Sequence, residues 1–305
     1  MGLLPMDLDI LPPSDDRVFK LILTSPEAKP ALMDLISAII KRPVTDVVVR
    51  NNELPAGDTH EKAERLDVNC KIDDGSQVDL EMQASHIREQ SDGGEYKNLK
   101  GKSIYYLCDL HSSQPSKGIQ YDKLVRTYQV TFCSYTVFPK RKEYMNTFSL
   151  RHDKDNELLS DAIGVIYVEL SKLDQIVKKP VNDMTELEKW AVFFEYADIP
   201  GERETVNKII ESKEALQMAG DLLMSISQDE KERAVFRSRK MYQTDMDSNL
   251  ATVRDIGRQE GMAEGMAKGR AEGMAQVAQK MKAMGEAVEK IQLFTGLSAE
   301  SIKQL

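Results

Sequence analysis

The chain has 305 residues, a formal net charge of −9, 41% hydrophobic residues and 30% charged residues. That length allows one large domain or two around a real core, and the composition suits a globular protein with a polar, helix-rich portion. The negative balance speaks against a uniformly basic nucleic-acid binder, though not against a local basic groove.

Residues 1–14 form a proline-containing arm, with Ser14 or Asp15 placed to cap a helix. From 15 to 41 the apolar residues take helical spacing, and Pro26 and Pro30 predict a break into two helices. Val44–Arg50 is β-branched and strand-like. Then comes a strict alternation. Leu66, Val68, Cys70 and Ile72, and later Val78, Leu80 and Met82, fall on even positions. Asp67, Asn69 and Lys71, and later Asp79, Glu81 and Gln83, fall on odd ones. This predicts two half-buried strands joined at Asp73-Asp74-Gly75-Ser76, with an odd-length loop if both apolar faces share the core. Asp67 then lies beside Glu81 or Gln83, and carboxyl groups converge at the edge of a small sheet. That is a divalent-metal site in outline.

Helical spacing returns over 95–112, and 112–118 reads as a loop. A helix from about Tyr121 is expected to run into a strand over Tyr128–Phe138, with a basic turn at Lys140-Arg141-Lys142. Phe148–Leu150 and Val165–Leu170 read as further strands, and everything from Thr185 onward is helical and increasingly charged. Tyr105 and Tyr106 read as core residues. Cys70, Cys108 and Cys133 are widely spaced in apolar runs and read as buried thiols of a reducing compartment. His60, His86, His111 and His152 lack zinc-ligand spacing. With no export signal and no run of about 18 apolar residues, the expectation is a cytoplasmic protein without a membrane segment.

The order helix, three strands, helix, strand, with Asp67 and Glu81-Met82-Gln83 on neighbouring strands, resembles the PD-(D/E)XK nuclease superfamily. More narrowly, it resembles the recombination-promoting nuclease and transposase-like family. Asp16-Arg-Val-Phe19-Lys20, Arg65-Leu-Asp67-Val, Ile104-Tyr105-Tyr106, Gly118-Ile-Gln-Tyr121 and Tyr167-Val-Glu169-Leu170-Ser-Lys172 match in order, over roughly residues 15–175. The resemblance implies an α/β fold with a mixed sheet and a restriction-endonuclease-like core, followed by a helical C-terminal region. It divides the chain into the arm 1–14, a nuclease-like domain 15–180, a helical region 181–253 and a tail 254–305. It also implies a DNA endonuclease acting in recombination, mobile-element biology or phage defence. The alternative is a catalytically degenerate member that binds DNA or protein.

By that resemblance Mg²⁺ or Mn²⁺ is held by Asp67, Glu81 and the Met82 carbonyl; hard divalent ions take oxygen ligands of this kind. Gln83 stands where the superfamily has lysine. An amide can hydrogen-bond a water or phosphate but carries no charge. The missing cation is expected from Lys102, which precedes the Tyr-Tyr pair as a basic residue does in related sequences, with Lys100 as the other candidate. Asp79 is expected as a surface or supporting carboxylate. Asp16 belongs to the acidic cluster expected to cap the first helix near Ser14 or Asp15, with approach to the site from that helix as the other option.

In the tail, Gly257, Gly261, Gly265, Gly269 and Gly273 recur every four residues, three of them followed by Met262, Met266 and Met274. On a helix these glycines wind slowly, at a cost of about 5 kcal/mol relative to alanine. Close packing against a partner helix must compensate, or the segment frays. The expectation is a homo-oligomer built through this tail. Interspersed charges exclude a membrane-spanning glycine motif. Gly285–Leu305 reads as a helical hairpin that packs rather than reads DNA.

Overall fold

The computed structural model describes residues 3–50, 68–84, 94–114 and 120–305. It divides into two compact units, Met1–Arg237 and Ser238–Leu305. In the first, α1 (Asp16–Thr24) and α2 (Lys29–Ile40) are separated by a 3₁₀ turn at Pro26–Ala28. The break falls at the prolines because a proline ring supplies no N–H to an ongoing helix. Asp15 caps α1, its carboxylate accepting from the backbone N–H groups of Arg17 at 3.0 Å and Val18 at 3.2 Å.

Among the described residues six strands follow: β1 (Val47–Val49), β2 (Val68–Ile72), β3 (Gln77–Gln83), β4 (Thr127–Cys133), β5 (Met145–Arg151) and β6 (Leu158–Glu169). They form one mixed sheet in the order β1-β2-β3-β4-β6-β5. β3 runs antiparallel to β2 and parallel to β4, and α3 (Gly94–Ser112) makes the crossover between the parallel pair. Asp73, Asp74 and Gly75 turn the β2–β3 hairpin, an odd-length loop as expected. Gly75 sits at φ +87°, a region open to glycine, and Asp74 accepts from the Ser76 N–H at 2.9 Å.

β3 is therefore a central strand, and its carboxyl groups do not lie at the edge of the sheet as expected. Nor is it half-buried. Its even residues Val78, Leu80 and Met82 join Val130 and Phe132 of β4 in the main core, where Phe19 of α1 meets Phe132 at 5.6 Å. Its odd residues Gln77, Asp79 and Glu81 are buried too, beside Gln129 and Thr131 of β4. α3 lies over that polar face, with Ser103 Oγ 2.9 Å from the Tyr167 hydroxyl of β6. The alternation marked the strand correctly, but a helix rather than solvent covers its polar side.

Two further expectations are corrected. The helix at Tyr121 is a single 3₁₀ turn, Tyr121–Lys123, and the strand after it ends at Cys133 rather than Phe138. The physical reason for the early end is a carboxylate. Glu169 accepts from the N–H groups of Val137 and Phe138 and so gathers this segment into a loop. Cys108 is exposed, while Cys70 and Cys133 are buried as expected; all three are free thiols.

Helices α4 (Glu186–Tyr196), α5 (Arg203–Glu211) and α6 (Glu214–Gln228) complete the core above α1 and α2. The N-terminal residues fold inward against them. Leu4, Ile10 and Leu11 are buried, and buried Arg203 donates to the carbonyls of Pro5 and Leu8 at 2.7 Å each. α4 carries a carboxyl that opposes its own ionisation. Burial first, and then the neighbouring Asp198 and Asp174, push Glu195 from 4.5 to about 7. A raised carboxyl contributes its stability below the unfolded value of about 4.5 and loses it as pH rises toward 7 and beyond. Glu195→Gln is thus expected to be about 1–3 kcal/mol more stable than wild type at pH 8, with the gain vanishing near pH 4.5. Urea denaturation at the two pH values reads this directly.

The second unit takes α7 (Glu230–Ala283) from Ser238 onward, with α8 (Val288–Thr295) and α9 (Ala299–Gln304) forming the expected hairpin. Ala278, Ile291 and Ile302 make its small core. Among the described residues no helix is long and apolar enough to cross a membrane.

Candidate active site

Three side chains predicted from sequence meet at the end of β3. Glu81, 3% exposed, projects from the polar face toward α3. Lys102, on α3, places its ammonium on Glu81 Oε1 as an ion pair. Gln83 donates its amide to the same oxygen at 2.9 Å. The other oxygen, Glu81 Oε2, is buried and has no hydrogen-bond partner among the described residues.

Local packing aims Lys102. The next residue, Ser103, is fully buried; its hydroxyl donates to the Leu99 carbonyl at 3.1 Å and lies 3.5 Å from Thr131 Oγ1. Burial above all holds the Tyr167 hydroxyl above its usual value, so it remains a donor to Ser103 at 2.9 Å. With that face of α3 anchored to the sheet, Lys102 lands at Glu81 and over the Tyr106 ring, 5.2 Å from its centroid. Lys100, two residues earlier and so about 200° around the helix, lies 4.7 Å from the Phe138 ring centroid instead. The structure thus brings Lys102 to the carboxylate. Tyr105 is 58% exposed and Tyr106 partly so, which corrects their assignment to the core. α3 anchors through Leu99, Ser103, Leu107 and Leu110, leaving that tyrosine face outward.

Asp79 is fully buried, opposite Asn69 on β2 and Gln129 on β4, which corrects the reading of a surface carboxylate. Asp16 accepts from the Arg17 N–H at 2.8 Å at the start of α1. Met82 keeps its side chain in the core. Asp67 lies outside the described residues; the residue after it, Val68, pairs with Leu80, the neighbour of Glu81. Among the described residues no group of three His, Cys, Asp or Glu side chains gathers as a metal site. His111 contacts Thr127 at 2.9 Å and His152 contacts Asp155 at 2.8 Å, while His60 and His86 lie outside the described residues.

Sequence reasoning missed two features of this sheet. Gln129 is fully buried on the same face as Glu81, and neither of its amide atoms has a hydrogen-bond partner among the described residues. An orphaned buried amide is costly, so a polar occupant such as water or an ion belongs beside it. The signal was legible, because Thr127, Gln129 and Thr131 alternate with Tyr128, Val130 and Phe132 as the residues of β3 do. The second is Glu169, matched by resemblance but given no role. It is fully buried and accepts from Val137 N at 2.6 Å, Phe138 N at 2.9 Å, Asn146 Nδ2 at 2.8 Å and Lys172 Nζ at 2.6 Å. It fastens the loop that carries Phe138, the ring beneath Lys100. Burial, joined by the Glu169 and Glu81 carboxylates, raises the Cys133 thiol well above its usual value, so it stays protonated and inert.

The donor set suits a hard divalent cation. It offers a buried carboxylate with one oxygen unsatisfied among the described residues, together with the neutral side-chain amides of Gln83 and Gln129 on the same face of the sheet. Residues 13–253 match the family described as PD-(D/E)XK nuclease family transposase. No curated protein and no solved structure matched the chain.

Proposed function

The chain belongs to the PD-(D/E)XK nuclease family transposases, and on that premise we propose that it is a divalent-metal-dependent DNA endonuclease. Its proposed setting is DNA recombination, mobile-element activity or phage defence in the cytoplasm, where reducing conditions suit its free thiols. One observation carries the reading: Lys102 reaches Glu81 from the neighbouring helix, at the site where Gln83 replaces the family's lysine.

Asp67, Glu81 and the Met82 carbonyl are the proposed holders of Mg²⁺ or Mn²⁺. Such an ion, when bound, polarises a phosphate and lowers the pKa of a water. Lys102 supplies the positive charge that Gln83 lacks, beside the carboxylate and within reach of a phosphate oxygen. Gln83 holds Glu81 in its rotamer through its amide N–H and keeps its carbonyl as an acceptor for the attacking water. α3 closes the polar face, which strengthens each of these interactions by excluding bulk water.

Cleavage of supercoiled plasmid in Mg²⁺ or Mn²⁺ tests this. Wild type is expected to nick or linearise the plasmid, and Asp67→Ala and Lys102→Met each to lose about 100-fold or more in rate. Unchanged cutting by Asp67→Ala would remove it from the ligand set, and unchanged cutting by Lys102→Met would remove its charge from the mechanism. A second reading, a nuclease fold that binds DNA or protein without cutting, draws on the same ion pair, since Lys102 already neutralises Glu81. Inert but well-folded wild type across metals and DNA forms selects it.

A further inference from the structure

The long helix α7 is uncovered on all sides from Ser238 to Val277, and the chemistry of one of its faces identifies an occupant. Between Ser238 and Val277 no residue of α7 is buried. At about 100° per residue, Tyr242, Met246, Leu250 and Val253 fall within a quarter turn of one another, and all four are exposed, Tyr242 at 68% and Val253 at 66%. Gly257 continues their line, and Gly261, Gly265, Gly269 and Gly273 extend it, each rotated by about 40°. A Cβ built on any of the five glycines meets nothing within 4 Å. An apolar stripe therefore runs into a groove floored by bare backbone. A helix with five interior glycines lacks the propensity to stand alone in water, and most helical stability comes from packing an apolar face.

The charges flanking the groove choose the partner and its direction. The row after the glycines reads Arg258, Met262, Met266, Arg270; the row before them reads Glu260, Glu264, Lys268, Glu272. One flank is net positive and the other net negative. If two such helices pair in parallel about a two-fold axis along them, opposite flanks meet and the charges attract. If they pair antiparallel, like flanks meet and repel. In the parallel pair the apolar residues also face their own copies, and the i, i+4 glycine rows allow the two backbones to approach closely.

We propose that a second copy of this chain docks along this face of α7, parallel and in register, glycine row against glycine row. The proposal stands on the helix alone and does not depend on the nuclease reading.

Light scattering on the full chain is expected to give twice the 34.4 kDa chain mass. Gly261→Leu with Gly265→Leu should weaken the dimer at least about 10-fold, although leucine favours the helix itself, so helicity should not fall. Glu260→Arg with Glu264→Arg should weaken it similarly, and adding Arg258→Glu and Arg270→Glu should restore it. In a Cys108→Ser background, Leu250→Cys should cross-link to itself on mild oxidation. An antiparallel pair centred on Gly265 would instead place position 250 against 280. Cross-linking of Leu250→Cys only with Lys280→Cys would overturn the register. A monomeric mass at every concentration reached, or glycine variants that dimerise like wild type, would overturn the docking itself.

Discussion

Glu81→Gln is expected to abolish metal-dependent cleavage, lowering the rate by about 1,000-fold or more while leaving the fold intact. The two side chains are nearly isosteric, so the volume buried beneath α3 is unchanged. What is lost is charge. The carboxylate keeps one oxygen without a hydrogen-bond partner among the described residues, and an amide cannot replace it as a ligand to a hard dication. The orphaned partner tolerates the change, because the Lys102 side chain is 36% exposed and can regain water. Stability should therefore move by no more than about 1 kcal/mol. Plasmid cleavage alongside Mn²⁺ titration by calorimetry separates the two effects, since both activity and ion affinity should fall together. Cleavage within tenfold of wild type would remove Glu81 from the centre.

Glu169→Ala is expected to produce the largest loss of stability, about 3–5 kcal/mol. Its carboxylate is fully buried and receives four donors: two backbone N–H groups, the Asn146 amide and the Lys172 ammonium. Removing it strands the two N–H groups and leaves Lys172, whose side chain is 11% exposed, without its counter-charge. The Phe138 and Glu143 carbonyls still accept from Lys172, at 3.0 and 3.3 Å, so its burial is only partly uncompensated. In a unit of this size the melting temperature should fall by roughly 6–20 °C. Glu169→Gln should recover part of the loss, because its oxygen can still accept from the loop while its NH₂ faces Asn146 and Lys172. A loss below about 1 kcal/mol for alanine would mean that the loop holds itself.

The sheet and its helices were largely legible in the residues. Period-two alternation located β2 and β3, helical spacing located α1, α2 and α3, and the prolines marked the break between α1 and α2. Of the residues named by family likeness, the Glu81, Gln83 and Lys102 side chains meet in the structure. Illegible were the features set by what lies on top of an element. Alternation is the same whether water or a helix covers the polar face, so the burial of Asp79, Glu81 and Gln129 could not be read from it. Tyr105 and Cys108 failed for the converse reason: apolar character says that a residue can be buried, and only α3's rotation against the sheet says whether it is.

The sequence by itself determined most of the elements, the odd-length turn at Asp73-Asp74-Gly75, and a carboxylate and an amide two residues apart on one strand face. Each of these depends on neighbours within a few positions along the chain. The tertiary structure alone decided that β3 is central, that α3 covers its polar face, and that Lys102 rather than Lys100 reaches Glu81. Those outcomes depend on how α3 seats on β4 and β6, through contacts such as Ser103 with Tyr167, 64 positions apart. A lysine's reach is local, but its direction is set by the far side of its helix.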